Sequence, residues 1–119
     1  MNDQLHILRE ACLAVAAAGT SCYPEHYNPT KSPLDGHCGA VSSIVQKIFG
    51  GDIVTGKIQE ITHYWNRLPD GSEVDLTSCQ FGGDGYTALK KGRKVKSRDS
   101  MHPRFLQFAD LVRRKLTEK

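Results

Sequence analysis

One of the four cysteines in this chain, Cys38, stands where a thiol can act as a nucleophile. It follows a turn-forming Asp-Gly-His and opens a run with apolar residues at helical spacing, which predicts a helix over 38–49. The first N–H groups of a helix lack partners inside it and form the positive end of its dipole. Both features favour a thiolate. Cys38 is therefore the candidate nucleophile, on the helix face of Val41, Ile44 and Ile48.

A β-hairpin further along the chain is predicted from its loop. Pro69-Asp70-Gly71 suits a three-residue loop, because proline presets the first turn position and glycine tolerates a positive φ. In such a hairpin Leu68 pairs with Ser72, and the odd-numbered residues of both strands share one face. These residues are His63, Trp65 and Arg67 on the first strand, and Glu73, Asp75 and Thr77 on the second.

This register predicts a base and its orienting carboxylate. His63 lies opposite Thr77 and diagonal to Asp75, and diagonal neighbours are separated by about 7 Å between Cβ atoms, which allows an imidazole–carboxylate hydrogen bond. If the helix that begins at Cys38 packs on the same face, a Cys–His–Asp relay results. In such a relay imidazole takes the thiol proton and carboxylate fixes the imidazole tautomer.

The residues that carry a family resemblance extend over about 22–81. They are Gly36-His37-Cys38-Gly39-Ala40, Gly50-Gly51, His63-Tyr64-Trp65-Asn66, Asp70-Gly71, Asp75-Leu76-Thr77 and Gln80-Phe81. This pattern resembles the YunG-like family of small bacterial proteins, which brings no known reaction with it. More distantly, the order of Cys, a His in an HxWN-like strand and an Asp on the next strand resembles the transglutaminase-like branch of papain-like cysteine enzymes.

The wider resemblance implies Cys38 as nucleophile, His63 as base and Asp75 as its orienting partner. It also implies acyl transfer or hydrolysis at an amide, ester or thioester of a small-molecule or peptide substrate, without a cofactor. No glutamine precedes Cys38 where a papain-like oxyanion donor would lie.

Other groups near the predicted site are candidates to replace that glutamine. The N-terminal amides of the helix, at Cys38 and Gly39, can stabilise an oxyanion, and Asn66 and Gln80 are the side-chain candidates. Trp65 is expected in the core or as a wall of the site.

A zinc site is the competing chemistry. Cys22, His26, His37 and Cys38 supply four ligands of suitable type within 17 residues, with His63 and Cys79 beyond. Structural zinc sites usually show paired spacings such as CxxC, which this chain lacks, and our site prediction contains no metal. Cys12 lies in the apolar stripe of the first predicted helix and is expected to pack in the core.

The charge of the chain is divided unevenly. Its net charge of +3 comprises −5 over residues 1–89 and +8 over residues 90–119, and the stretch 90–98 holds six basic residues. A basic segment suits nucleic acid or another anionic partner, since phosphate neutralisation gives affinity without sequence preference. The alternative function is thus a non-catalytic binding domain that engages such a partner through residues 90–119. The other interpretation of the stretch is a solvated, mobile loop at about 85–100.

The order of elements predicts a single α+β domain over 1–119. Helices are expected at 3–18 and 38–49, strands at 52–58, 61–68 and 73–77, and a final helix at 103–117. N-terminal helices are expected to pack on a small antiparallel sheet, with a C-terminal helix, and the wider resemblance implies that this is a papain-like or transglutaminase-like core. Because the alanine-rich run at 11–18 follows Asp3 and Glu10, it lacks the charge pattern of a signal peptide, and we expect a cytoplasmic protein without membrane contact.

Overall fold

The computed structural model describes residues 3–16, 37–95 and 103–117, except for the side chains of 80 and 103–105. Three helices are present in these ranges, α1 (Asp3–Val15), α2 (Cys38–Phe49) and α3 (Pro103–Thr117). The predicted bounds of α2 and α3 are confirmed. Gly50, with φ of 78°, follows α2 and allows the chain to leave the helix. The predicted end of α1 at Gly19 lies outside the described residues.

Within the described part of the chain, four antiparallel strands form one sheet in the order β3-β2-β1-β4. Their bounds are β1 (Asp52–Ile58), β2 (Ile61–Arg67), β3 (Glu73–Val74) and β4 (Arg93–Lys94), with a 3-10 helix at Ser78–Phe81. The α+β class is therefore confirmed, whereas β4 was not predicted. Between β1 and β2 the chain turns at Gln59 and Glu60, whose positive φ angles fit a two-residue hairpin turn.

The predicted loop between β2 and β3 is confirmed together with its register. The Leu68 N–H donates to the Ser72 carbonyl at 2.8 Å, and Gly71 has φ of 91°. Arg67 then pairs with Glu73. The third strand is shorter than expected, because the Asp75 side chain accepts the Thr77 N–H and the Asp75 carbonyl accepts the Ser78 N–H. Such local bonds replace the strand ladder with a turn.

The three helices share one hydrophobic core, which also contains Leu76. Its buried helical members are Leu5, Leu8, Ala11, Cys12, Ala40, Val41, Ile44, Val45, Phe108 and Val112. Two leucine or isoleucine residues of the predicted apolar helix faces lie outside this core, since Ile48 is 52% exposed and Leu116 is 39% exposed. Ile48 is turned away from the core, which the next residue, Phe49, contacts, and Leu116 lies in the last turn of α3. None of the helices described is long and apolar enough to cross a bilayer.

The two faces of the sheet have different neighbours. The helical core is joined by Leu68, Val74 and Leu76, which belong to the even-numbered set, and α2 packs against β2. The odd-numbered Trp65 instead contacts β1 and the segment around Gly92. The helix that begins at Cys38 therefore packs mainly on the even-numbered face, opposite to the one expected for the relay.

Part of the basic stretch contributes to the sheet. Arg93 and Lys94 pair with Thr55 and Val54 of β1. Residues 96–102 lie outside the described ranges, so the mobility of the loop at 85–100 stays a prediction.

Candidate functional site

A buried histidine–carboxylate pair lies at the centre of the candidate site. His63 Nε2 is 2.8 Å from Asp75 Oδ2, and both side chains are only 1% exposed. His63 is held in β2, and the hairpin register brings the first residue after β3, Asp75, diagonally opposite. The sequence-based pairing of these two residues therefore agrees with the geometry.

Both oxygens of the Asp75 carboxylate are engaged. Oδ2 contacts His63, while Oδ1 accepts the Thr77 N–H and the Thr77 hydroxyl, each at 3.0 Å. The Asp75 N–H donates to the Tyr86 carbonyl at 2.8 Å. A carboxylate with this many donors is fixed in orientation and compensated for the loss of water. It can therefore hold one tautomer and one ring position of His63.

Two aromatic rings enclose the imidazole of His63. Trp65 lies nearly parallel to it at 5.6 Å between centroids, and Phe81 meets it edge-on at 4.8 Å. These rings remove water from the imidazole. The Trp65 indole N–H donates to Glu73 Oε1 at 2.8 Å, so the tryptophan ring is itself anchored.

The charge state of His63 follows from these neighbours. Burial lowers the pKa of the imidazole, but the hydrogen bonds with Asp75 and Cys38, together with the charges of both groups, raise it to about 9. At neutral pH the ring is therefore an imidazolium. Its proton is stabilised by the carboxylate, and its positive charge lies beside a thiol.

Cys38 interacts with His63 although α2 packs mainly on the other face of the sheet. It is the first residue of α2, half-buried, and the Val41 N–H donates to the His37 carbonyl in the first helical turn. Because Asp75 contacts Nε2, the ring nitrogen left for Cys38 is Nδ1. The Cys38 side chain thus lies between the His63 imidazole and the N-terminus of α2. The arrangement can therefore support nucleophilic attack.

The predicted oxyanion groups occupy different surroundings. Gly39 follows Cys38 in the first turn, where its N–H has no acceptor within the helix, and its carbonyl accepts the hydroxyls of Ser42 and Ser43. The Asn66 amide donates to the Ser42 carbonyl at 2.9 Å and thereby ties β2 to α2. This contact gives Asn66 a structural role, and its oxyanion role stays a prediction. The side chain of Gln80 lies outside the described part.

The residues of the competing zinc interpretation do not form a metal site within the described ranges. No group of three His, Cys, Asp or Glu side chains there has the arrangement to hold a metal ion, and Cys22 and His26 lie outside those ranges. Burial raises the pKa of Cys12 to about 12, with Arg9 opposing part of that effect. His37 is buried, and its ring contacts Phe108 at 4.8 Å between centroids.

Sequence reasoning missed two residues that shape the site. The hydroxyl of Thr77 bonds Asp75 and lies 3.4 Å from His63 Nε2, and the ring of Phe81 covers the imidazole. Thr77 shares the odd-numbered face with Asp75, which was the available signal. Phe81 had no such signal, because the 3-10 helix that positions it was not predicted.

Comparison with known proteins finds one family. The family described as YunG protein matches residues 4–119. No curated protein and no solved structure matches the chain.

Proposed function

The chain belongs to the YunG family, and we propose that it is a thiol-dependent hydrolase or acyltransferase acting at an amide, ester or thioester bond. The nucleophile is Cys38, the acid and base is His63, and the positioning carboxylate is Asp75. The observation that supports this proposal most is the buried His63–Asp75 pair in direct interaction with Cys38. A pair buried only for packing has no need of a thiol beside it.

The proposed reaction proceeds in two steps. In the first, the Cys38 thiolate attacks the carbonyl carbon, and a Cys38 thioester forms as the bond to the leaving amine, alcohol or thiol breaks. The His63 imidazolium donates its proton to that leaving group. In the second, neutral His63 takes a proton from water or an acceptor, whose oxygen or nitrogen attacks the thioester and releases Cys38. The N–H groups at Cys38 and Gly39 are the proposed donors to the oxyanion.

The proposed relationship to transglutaminase-like and papain-like folds rests on the same three residues. A nucleophile at a helix start, a histidine on a following strand and a carboxylate just after the next strand occur here in chain order, at Cys38, His63 and Asp75. This order is the one that we associate with transglutaminase-like and papain-like enzymes. We propose the relationship on the site and the element order alone.

The first test of this function is the pH dependence of thiol alkylation. We expect iodoacetamide to modify Cys38 rapidly at about pH 6, where an ordinary thiol with a pKa near ~8.5 is almost entirely protonated. Cys79, half-buried in the 3-10 helix, serves as the internal comparison. Peptide mass spectrometry gives a rate for each cysteine. In His63→Ala we expect Cys38 to react no faster than Cys79. In His6→Ala, a change at an exposed histidine of α1, we expect the faster alkylation of Cys38 to remain.

Circular dichroism of each variant separates loss of reactivity from loss of fold. A wild-type Cys38 that follows the same pH profile as Cys79 would overturn the proposed thiol chemistry. If Cys38 is reactive, small thioesters and activated esters are screened for a covalent adduct by intact mass, with Cys38→Ala as the control. Wild-type turnover in Cys38→Ala would exclude the mechanism.

A second candidate function is a non-catalytic binding domain for nucleic acid or another anionic partner. It is favoured by the position of Lys90, Lys91 and Arg93, which line one cleft rather than spreading over the surface. This function predicts binding that weakens with salt and persists in Cys38→Ala. A salt-independent affinity would contradict it.

A further inference from the structure

A positively charged cleft opens between the β1–β2 hairpin and the segment before β4. Its volume is about 560 Å³, within the range of small-molecule sites, which is about 300–1,000 Å³. Four cationic residues line it: Lys57, Lys90, Lys91 and Arg93. Thr55 and Thr62 also line it, and no carboxylate residue is among its lining residues in the described part of the chain.

The cleft depends on two glycines that let the chain approach Trp65. A Cβ on Gly56 would lie 3.0 Å from the indole ring, and one on Gly92 would lie 2.8 Å from it. Both glycines line the cleft, so Trp65 lies directly behind its wall. Any larger residue at Gly92 would push the basic segment away from β1.

The segment that carries three of the cations is held in place at Gly92. The Gly92 N–H donates to Glu73 Oε1 at 2.8 Å, and the Gly92 carbonyl accepts from Arg67 at 2.8 Å. Arg67 also bonds Glu73, at 3.1 Å. The backbone between Lys91 and Arg93 is therefore anchored from both its N–H and its carbonyl.

The cations themselves are partly ordered. Lys90 Nζ donates to the Lys57 carbonyl at 2.9 Å, which places the ammonium over β1 beside Gly56. Arg93 pairs with Thr55 in the sheet. Lys94, the next residue, is paired with Asp52 and does not line the cleft. The lysines and arginine that line the cleft thus form one concave basic surface.

This chemistry suits phosphate more than the other anionic groups. Phosphate oxygens accept several charge-assisted hydrogen bonds at once, and lysine, arginine and threonine are the donors present here. Single-stranded nucleic acid is usually held on aromatic platforms as well, and none of the lining residues that the structure describes is aromatic. In α3, Arg113 and Arg114 are both paired with Asp110 and do not extend the basic surface as free charges.

We propose that the cleft binds the phosphate groups of a small molecule, on the scale of a nucleoside diphosphate, through Lys57, Lys90, Lys91 and Arg93. This inference rests on the second candidate function, whose anion it specifies. It does not require the thiol chemistry of Cys38. If the enzymatic function also holds, the position of Trp65 between cleft and His63 makes the phosphate compound a candidate substrate or regulator.

Isothermal titration calorimetry with inorganic pyrophosphate tests the proposal on the full chain. We expect saturable binding that weakens about tenfold in each of Lys90→Gln, Lys91→Gln and Arg93→Gln, since a hydrogen bond to a charged group is worth about one power of ten in affinity. The matched controls are Lys94→Gln, from the same strand, and Lys47→Gln, from α2. Neither is expected to change the affinity.

Competing occupants are distinguished in the same experiment. ADP and inorganic phosphate probe the size of the ligand, and a short single-stranded oligodeoxynucleotide and polyglutamate probe the macromolecular alternatives. Tight oligonucleotide binding without saturable pyrophosphate binding would overturn the small-molecule proposal and retain the second candidate function. Pyrophosphate binding that Lys47→Gln weakens as much as Lys91→Gln would overturn the assignment of the cleft. Cys38→Ala is expected to bind pyrophosphate as the wild type does, whatever its reactivity.

Discussion

The site around His63 and the basic cleft share strands β1 and β2 but differ in their contact with water. His63 and Asp75 are each 1% exposed, and their polar atoms are satisfied by protein groups. In the cleft, Lys57, Lys90 and Lys91 are exposed, and solvent compensates their charge. In the buried site a single contact contributes strongly to the free energy of folding. In the exposed cleft each charged group contributes little to it.

The two regions are joined through Trp65 and Glu73. The Trp65 ring packs against His63 and against the wall of the cleft, and its N–H bonds Glu73. Burial would raise the pKa of Glu73, but hydrogen bonds from Gly92, Trp65 and Arg67 hold it below its usual value. This carboxylate therefore stays charged at neutral pH and connects the buried site to the exposed one.

Asp75→Asn is expected to have the largest effect on stability. Removing one partner of a buried ion pair costs about 3–5 kcal/mol, because the other charge remains buried and unpaired. The folded pKa of His63, about 9, lies above the ordinary value of 6.5. The pair therefore adds its full stability below about pH 6.5 and loses it as the pH rises through about 9.

Urea unfolding of wild type and Asp75→Asn at about pH 6 and about pH 10 measures this difference. The gap in the free energy of unfolding should be large at the lower pH and small at the higher one. Thr77→Val, which removes only one donor to Asp75, should show a smaller gap and keeps the test usable if Asp75→Asn does not fold. A gap independent of pH would show that His63 does not titrate between these two values, and would overturn a folded pKa of about 9.

Glu73→Gln is expected to have an intermediate effect that reaches both regions. A neutral side chain loses the charge in its bonds to Arg67, Trp65 and Gly92, and we expect a loss of about 1–2 kcal/mol in the free energy of unfolding. Because the bond that anchors Gly92 is weakened as well, pyrophosphate affinity should fall. Asp110→Asn, which removes an exposed carboxylate paired with arginines, is the control and should change neither quantity. Equal effects of the two variants would argue against a connection through Glu73.

Lys91→Gln should have the smallest effect on stability. Its side chain is exposed, so thermal unfolding should occur at the wild-type temperature or slightly above it, since a repulsive charge is removed. Differential scanning calorimetry checks this at low salt, where repulsion is least screened. A marked destabilisation would mean that Lys91 contributes to folding. The cleft would then not differ from the buried site in its effect on stability.

Local sequence signals account for the elements that carry the site. The apolar spacing of 38–49 predicted α2 at its observed bounds, Cys38–Phe49, and Pro69-Asp70-Gly71 predicted the hairpin loop with its register. These signals act over a few residues, through helical periodicity and turn conformation, so they can be recognised without knowledge of the rest of the fold. The proximity of His63 and Asp75 follows from that register alone.

Features that depend on distant parts of the chain were not predictable in the same way. The sequence offered no sign that Arg93 and Lys94 would join β1, because two-residue edge strands depend on a partner that is already formed. We expected α2 on the odd-numbered face of the β2–β3 hairpin. The helical core instead forms on the even-numbered face, with Leu68, Val74 and Leu76. Which face of a sheet a helix covers depends on the total apolar area available on each side.

By itself the sequence determined the helix that begins at Cys38, the hairpin register and the diagonal pair of His63 and Asp75. Each of these depends on contacts between residues near one another in the chain. The tertiary structure decided that Cys38 meets His63 from a helix packed mainly on the other face, that Phe81 closes the imidazole from water, and that Gly56 and Gly92 form a charged cleft against Trp65. These arrangements join segments far apart in sequence, and only the packing of the whole core sets their distances.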